Sequence, residues 1–434
     1  MPLIRPFRAL HYGSNVQPLL GELVTPAIRG EPLDRREVGD VHEFNIRRLV
    51  RGDFGPLARP NEPSFSHAAR LLQRWKEQGI IVRDPRPALY VYEQQWGNAR
   101  RRGLVTLVRL DQGEDQYIRA HEETLGGATD ALLAQLKATS TQLSMTMAMI
   151  QDRQGVLAEF LNGFDADRAG LVTLDGMGMH SRVWRDEDPA AHLRLVQALE
   201  DEVAVVADGH HRHLAALAYQ QWVRDQQGGP GRRREHSCDY IMMMLVPVQS
   251  QGLSCQPTHR VCEKLNQGAA MIVEQLDRHF ELEDVESEQE LLSFLGQRQG
   301  HRFALIRPGR RTTMLLKPAA LQLLSQLEPV LHSVDAAVLE QLVLGPMDEA
   351  LGKASDSISD ASASGSPWAH NRSSAAEVSA QVLSGRADLA ILVRPPPPDK
   401  IMEVALSGAV MPAKSTNFYP KPIKGLLMSS MRSF

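Results

Sequence analysis

Cysteine is scarce in this 434-residue chain: only Cys238, Cys255 and Cys262 occur. They are too few and too unevenly spaced for a disulfide framework, and without a C-x-x-C pair they suggest no structural zinc. No apolar run approaches the roughly 18 residues of a membrane span. The opening MPLIRPFRALHYG lacks the long apolar centre of a secretory signal. A reduced, cytoplasmic chain with no membrane partner is expected. An excess of positive charge is missing too. The formal net charge is −4, so no basic face for a nucleic acid is expected. The basic runs Arg100–Arg102 and Arg232–Arg234 are short, and the second sits in a Gly/Pro-rich loop. Finally, the chain has no G-x-x-x-x-G-K-[ST] loop, no G-x-G-x-x-G helix start, no G-x-S-x-G elbow and no H-E-x-x-H. These absences argue against P-loop hydrolysis, Rossmann-type dinucleotide chemistry, a serine-hydrolase elbow and a zincin.

What is present is an alternation of short strand and helix patterns, which indicates a mixed α/β (α+β) protein. Ser64 or Ser66 can cap a helix carrying Ala69, Leu72 and Trp75 that stops at Gly79. Strands are expected at Ala88–Glu93, Leu104–Leu110, Gly170–Leu174 and just before Asp208. A helical pattern runs on from His121, and another helix is expected in Pro189–Glu200. Cys238–Val248 reads as a buried strand whose methionines fill core. Further on, helices are expected near Ala269–Phe280 and in Glu288–Gln297, strands at Phe303–Arg307, Thr312–Lys317 and Asp388–Arg394, and a helix from Asp399. Three regions follow from these patterns: 1–120, 121–265 and 266–434. The last includes a Ser-rich insertion, 352–374, and a closing tail, 411–425.

The most informative stretch is VAVVADGHHRH, Val203–His213. An apolar strand stops at Asp208-Gly209 and releases His210, His211, Arg212 and His213 into an amphipathic helix. A glycine turn leading into a helix N-terminus favours anions, because the first-turn N–H groups are unpaired within the helix. Arg212 can fork onto a phosphate, and His210 and His211 can donate or shuttle protons. His210 and His213, three apart near Asp208, are a weaker candidate metal pair. Elsewhere, Glu122 in His121-Glu122 is a candidate general base or magnesium ligand. His180 follows a Gly/Met-rich turn containing Asp175. His259-Arg260 forms a candidate second phosphate clamp. In the tail, Lys414, Ser415, Thr416, Tyr419 and Lys421 lie between rigid prolines, where Lys414 can neutralise phosphate and Ser415 or Thr416 can donate. Tyr419, Lys421, His121 and His180 are weaker candidates for contacting substrate.

Seven words carry a resemblance in order along the chain: Ile4–Leu10, Pro87–Gln94, His121–Thr124, Asp175–Trp184, Ala207–Arg212, Pro257–Arg260 and Met411–Leu426. Together they resemble a bacterial and archaeal family known as domain of unknown function 1015. Its GHHR core in turn resembles the motif of the ParB/sulfiredoxin superfamily, which includes nucleotide switches, an ATP-using sulfinic-acid reductase and a free-serine kinase. That resemblance implies a ParB/sulfiredoxin-like nucleotide-binding core with additional α/β lobes, and phosphate binding by Gly209–Arg212. The GHHR word holds no cysteine where a sulfiredoxin has its nucleophile, which counts against sulfinic-acid reduction. The family's Pro-Pro-Tyr-Asp segment is also missing from Val24–Glu37. If that segment serves substrate or catalysis, its loss alters specificity or lowers activity.

The combined expectation is a nucleotide-dependent phosphotransferase or phosphohydrolase acting on a small metabolite, with ATP or ADP and Mg²⁺. Arg212 and Lys414 would hold phosphates, Asp208 and Gly209 would shape the turn, and Glu122 would be the base. The alternatives are a module that senses a nucleotide or metabolite without turnover, and a metal-dependent hydrolase.

Overall fold

The computed structural model describes residues 3–25, 41–51, 65–110, 117–124, 128–174, 178–226, 235–265, 270, 273–274, 276–350 and 368–432. Four features read from the sequence lie wholly or largely outside them: Asp175, Arg232–Arg234, the stretch following Thr25, and most of the Ser-rich insertion. The fold is mixed α/β. No helix among the described residues is long and apolar enough to cross a membrane.

Contacts divide the chain into two compact units. Unit 1 takes Met1–Arg119, Gly127–Leu253 and Pro420–Phe434; unit 2 takes Ala120–Gly126 and Ser254–Tyr419. This partition interleaves along the chain and differs from the three consecutive regions drawn from the sequence.

Unit 1 is built on a nine-stranded sheet. In chain order its strands are β1 (Ile4–Arg5), β2 (Leu89–Trp96), β3 (Ala99–Arg109), β4 (Ile118–Arg119), β5 (Thr146–Ile150), β6 (Leu171–Leu174), β7 (His180–Asp186), β8 (Ala204–Asp208) and β9 (Tyr240–Pro247). Across the sheet the order is β4-β8-β5-β9-β3-β2-β7-β6, with β1 also on β3. The β4/β8 and β5/β9 pairs are parallel and the rest antiparallel. β9, YIMMMLVP, is buried at every position, as a strand covered on both faces must be. Met243 and Leu245 join the main core cluster, so the methionines are core, as expected. β6 closes one edge, and its buried and exposed residues alternate.

The helices of this unit include α1 (Ser66–Glu77), α2 (Ala128–Thr139), α3 (Val156–Asn162), α4 (Pro189–Ala198) and α5 (His210–Gln226). Two sequence expectations are corrected here. Ser66 is the first helical residue of α1 rather than its cap: the cap is Phe65 at φ 69°, with no side-chain cap bond. The helical pattern read from His121 begins only at Ala128. His121 and Glu122 are not helical, and Glu122 forms an isolated parallel bridge with Met411.

Unit 2 is built on a six-stranded antiparallel sheet: β10 (His259–Cys262), β11 (Phe280–Val285), β12 (Arg302–Arg307), β13 (Arg310–Leu316), β14 (Trp368–Asn371) and β15 (Leu389–Leu392). The order is β11-β13-β12-β15-β10-β14. α6 (Glu288–Gly296), α7 (Ala375–Leu383) and α8 (Pro398–Ser407) belong to it. The helix expected near Ala269–Phe280 is corrected at its end. Leu276–Arg278 is a single 3₁₀ turn, and Phe280 opens β11. That strand escaped notice because only Phe280 is fully buried, followed by the exposed acids of ELED.

Candidate functional site

β8 runs antiparallel to β5, with an irregular register between Val206 and Asp208. Such a bulge re-aims the side chain that follows it, here Asp208. Gly209 then turns the chain at φ 99°, and the first helical bond of α5 runs from His213 N–H to Gly209 O at 3.1 Å. Glycine is required here by the backbone, and a side chain at 209 would also displace the Arg212 guanidinium. The backbone is left-handed, and an added Cβ would lie 2.5 Å from Arg212 Nε and 2.6 Å from its Nη2. The guanidinium therefore lies where a side chain at 209 would be. From there Arg212 donates to Asp208, one helical turn back, and to Ser144 Oγ at 3.1 Å.

Lys421 supplies the second cation, its Nζ donating to Asp208 Oδ1 at 2.5 Å. It is delivered by the sheet. Gln94 on β2 donates to Lys421 O at 2.9 Å, and the fully buried Arg101 on β3 donates to Gln94 and to Pro420 O. Burial pushes the Asp208 carboxyl up, but Lys421 and Arg212 outweigh it and hold the group well below the usual carboxylate range. Burial lowers Arg101 to about 10, opposed by Tyr92 and by Asp208. Two cationic groups thus share one carboxylate beside a helix N-terminus. His210 is buried in the first turn, and His211 Nδ1 lies 3.1 Å from Thr129 Oγ1. His213 faces the core and is pushed down to about 4 by burial. Among the described residues it belongs to no group of three ligand-type side chains close enough to share an ion. His180 is exposed on β7, in register with Gln95 and Leu174, apart from the turn.

The other expected residues lie in unit 2. His121 Nε2 is 2.7 Å from Thr416 Oγ1. Thr416 donates to Glu122 Oε2 from its N–H at 3.2 Å and from its hydroxyl at 3.1 Å. The hydroxyl proton therefore goes to Glu122, and Thr416 Oγ1 accepts from His121. Ser415 donates to Pro412 O at 2.6 Å, so it is engaged in its own turn. Lys414 sits at φ 59°, a conformation a non-glycine residue adopts only when its surroundings impose it. Tyr419 is on the short strand Phe418–Tyr419, paired with Ser254–Cys255.

On β10, His259 Nδ1 accepts the Val393 N–H at 3.2 Å, and burial pushes the ring down to about 4, with Arg260 adding to it. Arg260 is 1% exposed. It donates from Nη1 to Thr258 O at 2.8 Å, yet its Nε and Nη2 find no hydrogen-bond partner among the described residues. Burial lowers it to about 10, opposed by Glu340 and Glu122. Glu340 heads the π-helical turn Glu340–Leu344; its carboxyl is pushed up by burial against the pull of Arg260.

Sequence reading missed Gln94, Arg101, Ser144 and Glu340. Strand alternation through Arg100–Arg102 would have set Arg101 apart from its neighbours, since only the central arginine shares a face with Gln94. Nothing in the sequence marks Ser144 or Glu340.

No curated protein matches the chain. Solved structures with partial likeness include a conserved hypothetical protein from Pyrococcus furiosus, at 11% identity and a TM-score of 0.36 over 73% of this chain and 90% of that one. A free serine kinase in complex with AMP is also 11% identical, with a TM-score of 0.36 over 74% and 92%. SbnI with C-terminal truncation, from Staphylococcus aureus, gives 11% and 0.37 over 73% and 83%. Residues 4–337 match the family described as Protein of unknown function (DUF1015), and the chain belongs to that family.

Proposed function

We propose that the protein binds a nucleotide, ATP or ADP with Mg²⁺, at the Asp208–Arg212 turn, and transfers or hydrolyses a phosphoryl group on a small metabolite. The observation that carries this reading is the charge balance at the start of α5. Arg212 and Lys421 converge on the single carboxylate of Asp208, beside helix N–H groups that favour an anion. A phosphate chain supplies the further negative charge that such a cluster draws. The likeness of Ala207–Arg212 to the ParB/sulfiredoxin motif accords with this.

In this reading Arg212 and Lys421 hold phosphate oxygens, and His210 and His211 donate to them. A bound nucleotide supplies the transferable phosphoryl group; the chain's own residues position it and neutralise charge. With both oxygens of Asp208 taken by cations, Asp208 is a poor ligand for Mg²⁺. Within unit 2, Glu122 offers a hard carboxylate oxygen of the kind Mg²⁺ takes, one that already accepts from the N–H and the hydroxyl of Thr416. Arg260, with two N–H groups unpartnered among the described residues, serves as a second anion clamp, with His259 beside it.

A second reading is favoured by one specific feature: Arg212 and Lys421 are already engaged by Asp208. An arriving phosphate exchanges with that carboxylate and changes the state of the turn without any chemistry, which describes a sensor. The test is thermal shift against ATP, ADP and inorganic phosphate, with and without Mg²⁺, followed by assay for released ADP or phosphate. At a ligand concentration of 100 Kd the native state gains about 2.7 kcal/mol. A nucleotide-specific rise that Arg212→Ala abolishes supports the site, and no rise with any nucleotide overturns it. Product formation then separates enzyme from sensor.

A further inference from the structure

The arginine run Arg100-Arg101-Arg102 lies on β3, and strand alternation sends its members to opposite faces of the nine-stranded sheet. Arg101 and its register partner Gln94 face the Pro420–Lys421 backbone, as described above. Arg100 pairs in register with Gln95, Arg102 with Glu93, and Arg182 of β7 with Glu93 from the other side. This second set lines a cavity of about 1340 Å³ within unit 1, which Arg153 and Asp152 also border.

The cavity is a built cationic site. Its hub is Glu93, a carboxylate 1% exposed. Arg102 Nε donates to Glu93 Oε2 at 2.7 Å, Arg182 Nη1 to Oε1 at 2.6 Å, and Arg100 Nε lies 3.8 Å away. A buried carboxylate is costly unless cations and donors satisfy it; here three arginines surround one such group. Arg102 is fixed further by a bond to Leu161 O at 2.9 Å and by lying 5.0 Å over the Trp184 ring. Asp152, the other acid of the lining, is turned into the chain, accepting from the N–H groups of Leu157 and Ala158 at 3.0 and 2.8 Å. Four guanidiniums stand against the two lining carboxylates and Glu202, which pairs with Arg153 at 3.7 Å; one positive charge is left in excess, and all three carboxylates are already engaged. Arg100 and Arg153 are the solvent-facing members, with side chains 59% and 60% exposed. Two exposed cations at the mouth and two firmly bonded ones within suit capture of an anion followed by its orientation.

We infer that this cavity is a second binding site, separate from the Asp208 turn, for a small molecule bearing two or more clustered negative charges. A phosphate ester and a polycarboxylate share the required chemistry: anionic oxygens that accept from forked guanidiniums. The site lies on the sheet face opposite Gln94 and Arg101, so its ligand is an additional substrate or effector rather than the nucleotide phosphates.

Calorimetric titration at low ionic strength with inorganic pyrophosphate and with citrate tests this. The variants are Arg100→Ala/Arg153→Ala and, separately, Arg212→Ala. Both mouth arginines are exposed, so an unchanged melting temperature without ligand confirms that the double variant is folded. Binding of either probe that the double variant weakens by about tenfold or more and Arg212→Ala leaves intact supports the site. Pyrophosphate alone then points to a phosphate ester, and citrate alone to a polycarboxylate. The inference is overturned if neither probe binds, or if the double variant binds as the native protein does. Sensitivity to Arg212→Ala alone would place the anion at the Asp208 turn and overturn it equally, while leaving the nucleotide reading standing.

Discussion

At Gly209 the demands of the backbone and of one side chain coincide. The turn is left-handed, and Arg212's guanidinium occupies the space a Cβ would take. Gly209→Ala should therefore cost about 1–3 kcal/mol and displace Arg212, lowering both the urea midpoint and phosphate affinity. Asp208 gives a sharper test, because stability and binding move in opposite directions. Asp208→Asn strips the partner from Lys421 and Arg212 and should cost about 3 kcal/mol near neutral pH. The same change removes the internal competitor, so phosphate should bind more tightly at low salt. The sign with pH is set by the depressed folded value. The stabilisation is complete above about pH 4, the unfolded value, and is lost as pH falls through the folded one. The gap between native and variant midpoints should narrow only on strong acidification; a gap that stays constant down to pH 2 would show that Asp208 is not an ion-pair anchor. The word DGHHR announced the turn and the helix start in the sequence. The partners of Asp208 could not be read the same way: an i, i+4 pair is one of several rotamers open to Arg212, and Lys421 arrives from 213 residues away.

Strands were legible where burial is two-sided or alternates cleanly, as in LYVY of β2 or the methionines of β9. They were not legible in β11, an edge strand with four consecutive exposed residues, where pairing rather than hydrophobic pattern defines the strand. Caps were misread for a related reason. Ser66 has the right chemistry, but the capping position falls to Phe65 at positive φ, a choice that depends on packing. The β10/β14 pair carries a prediction at this scale. Arg260 and His370 are register partners there, and burial together with Arg260, Lys414 and Arg372 pushes His370 down to about 3. A histidine whose folded value is depressed stabilises above its unfolded value of about 6.5 and loses that contribution as pH falls. Urea midpoints should therefore drop between pH 7 and pH 4, and His370→Asn should flatten that slope whatever it does to the midpoint at pH 7. An unchanged slope would place the acid sensitivity elsewhere, with His213 and His259, both near 4, next in line.

The interleaving of the two units was the least legible property, because periodicity reports local structure while unit membership depends on contacts between distant segments. Ala120–Gly126 belongs with Ser254–Tyr419 although more than a hundred residues of unit 1 intervene. The physical tie is a short, well-bonded seam. Met411 N–H donates to His121 O at 2.9 Å, Glu123 N–H to Met411 O at 3.0 Å, and Thr416 to Glu122 twice. A chain of residues 254–419 alone keeps all six strands of the antiparallel sheet and its apolar clusters, including Phe280, Phe303, Ile391 and Val378, and so should still fold. It loses every one of those seam partners. Backbone groups that close to water when paired must then be solvated instead, and among the described residues the segment bearing Lys414, Ser415 and Thr416 is then tied to strands by the two-residue pairing of Phe418–Tyr419 with Ser254–Cys255 and the Gln256 N–H bond to Asn417 O at 2.8 Å. Hydrogen exchange followed by mass spectrometry should show slow exchange in β12 and β15 of this fragment, as in the full chain, but fast exchange across 411–416. Adding a synthetic peptide of residues 117–126 should restore protection there, and a Glu122→Ala peptide should restore it less. Protection of 411–416 in the unsupplemented fragment would mean that the tail is held by the body of unit 2, and that Glu122 is positioned by the tail rather than the reverse.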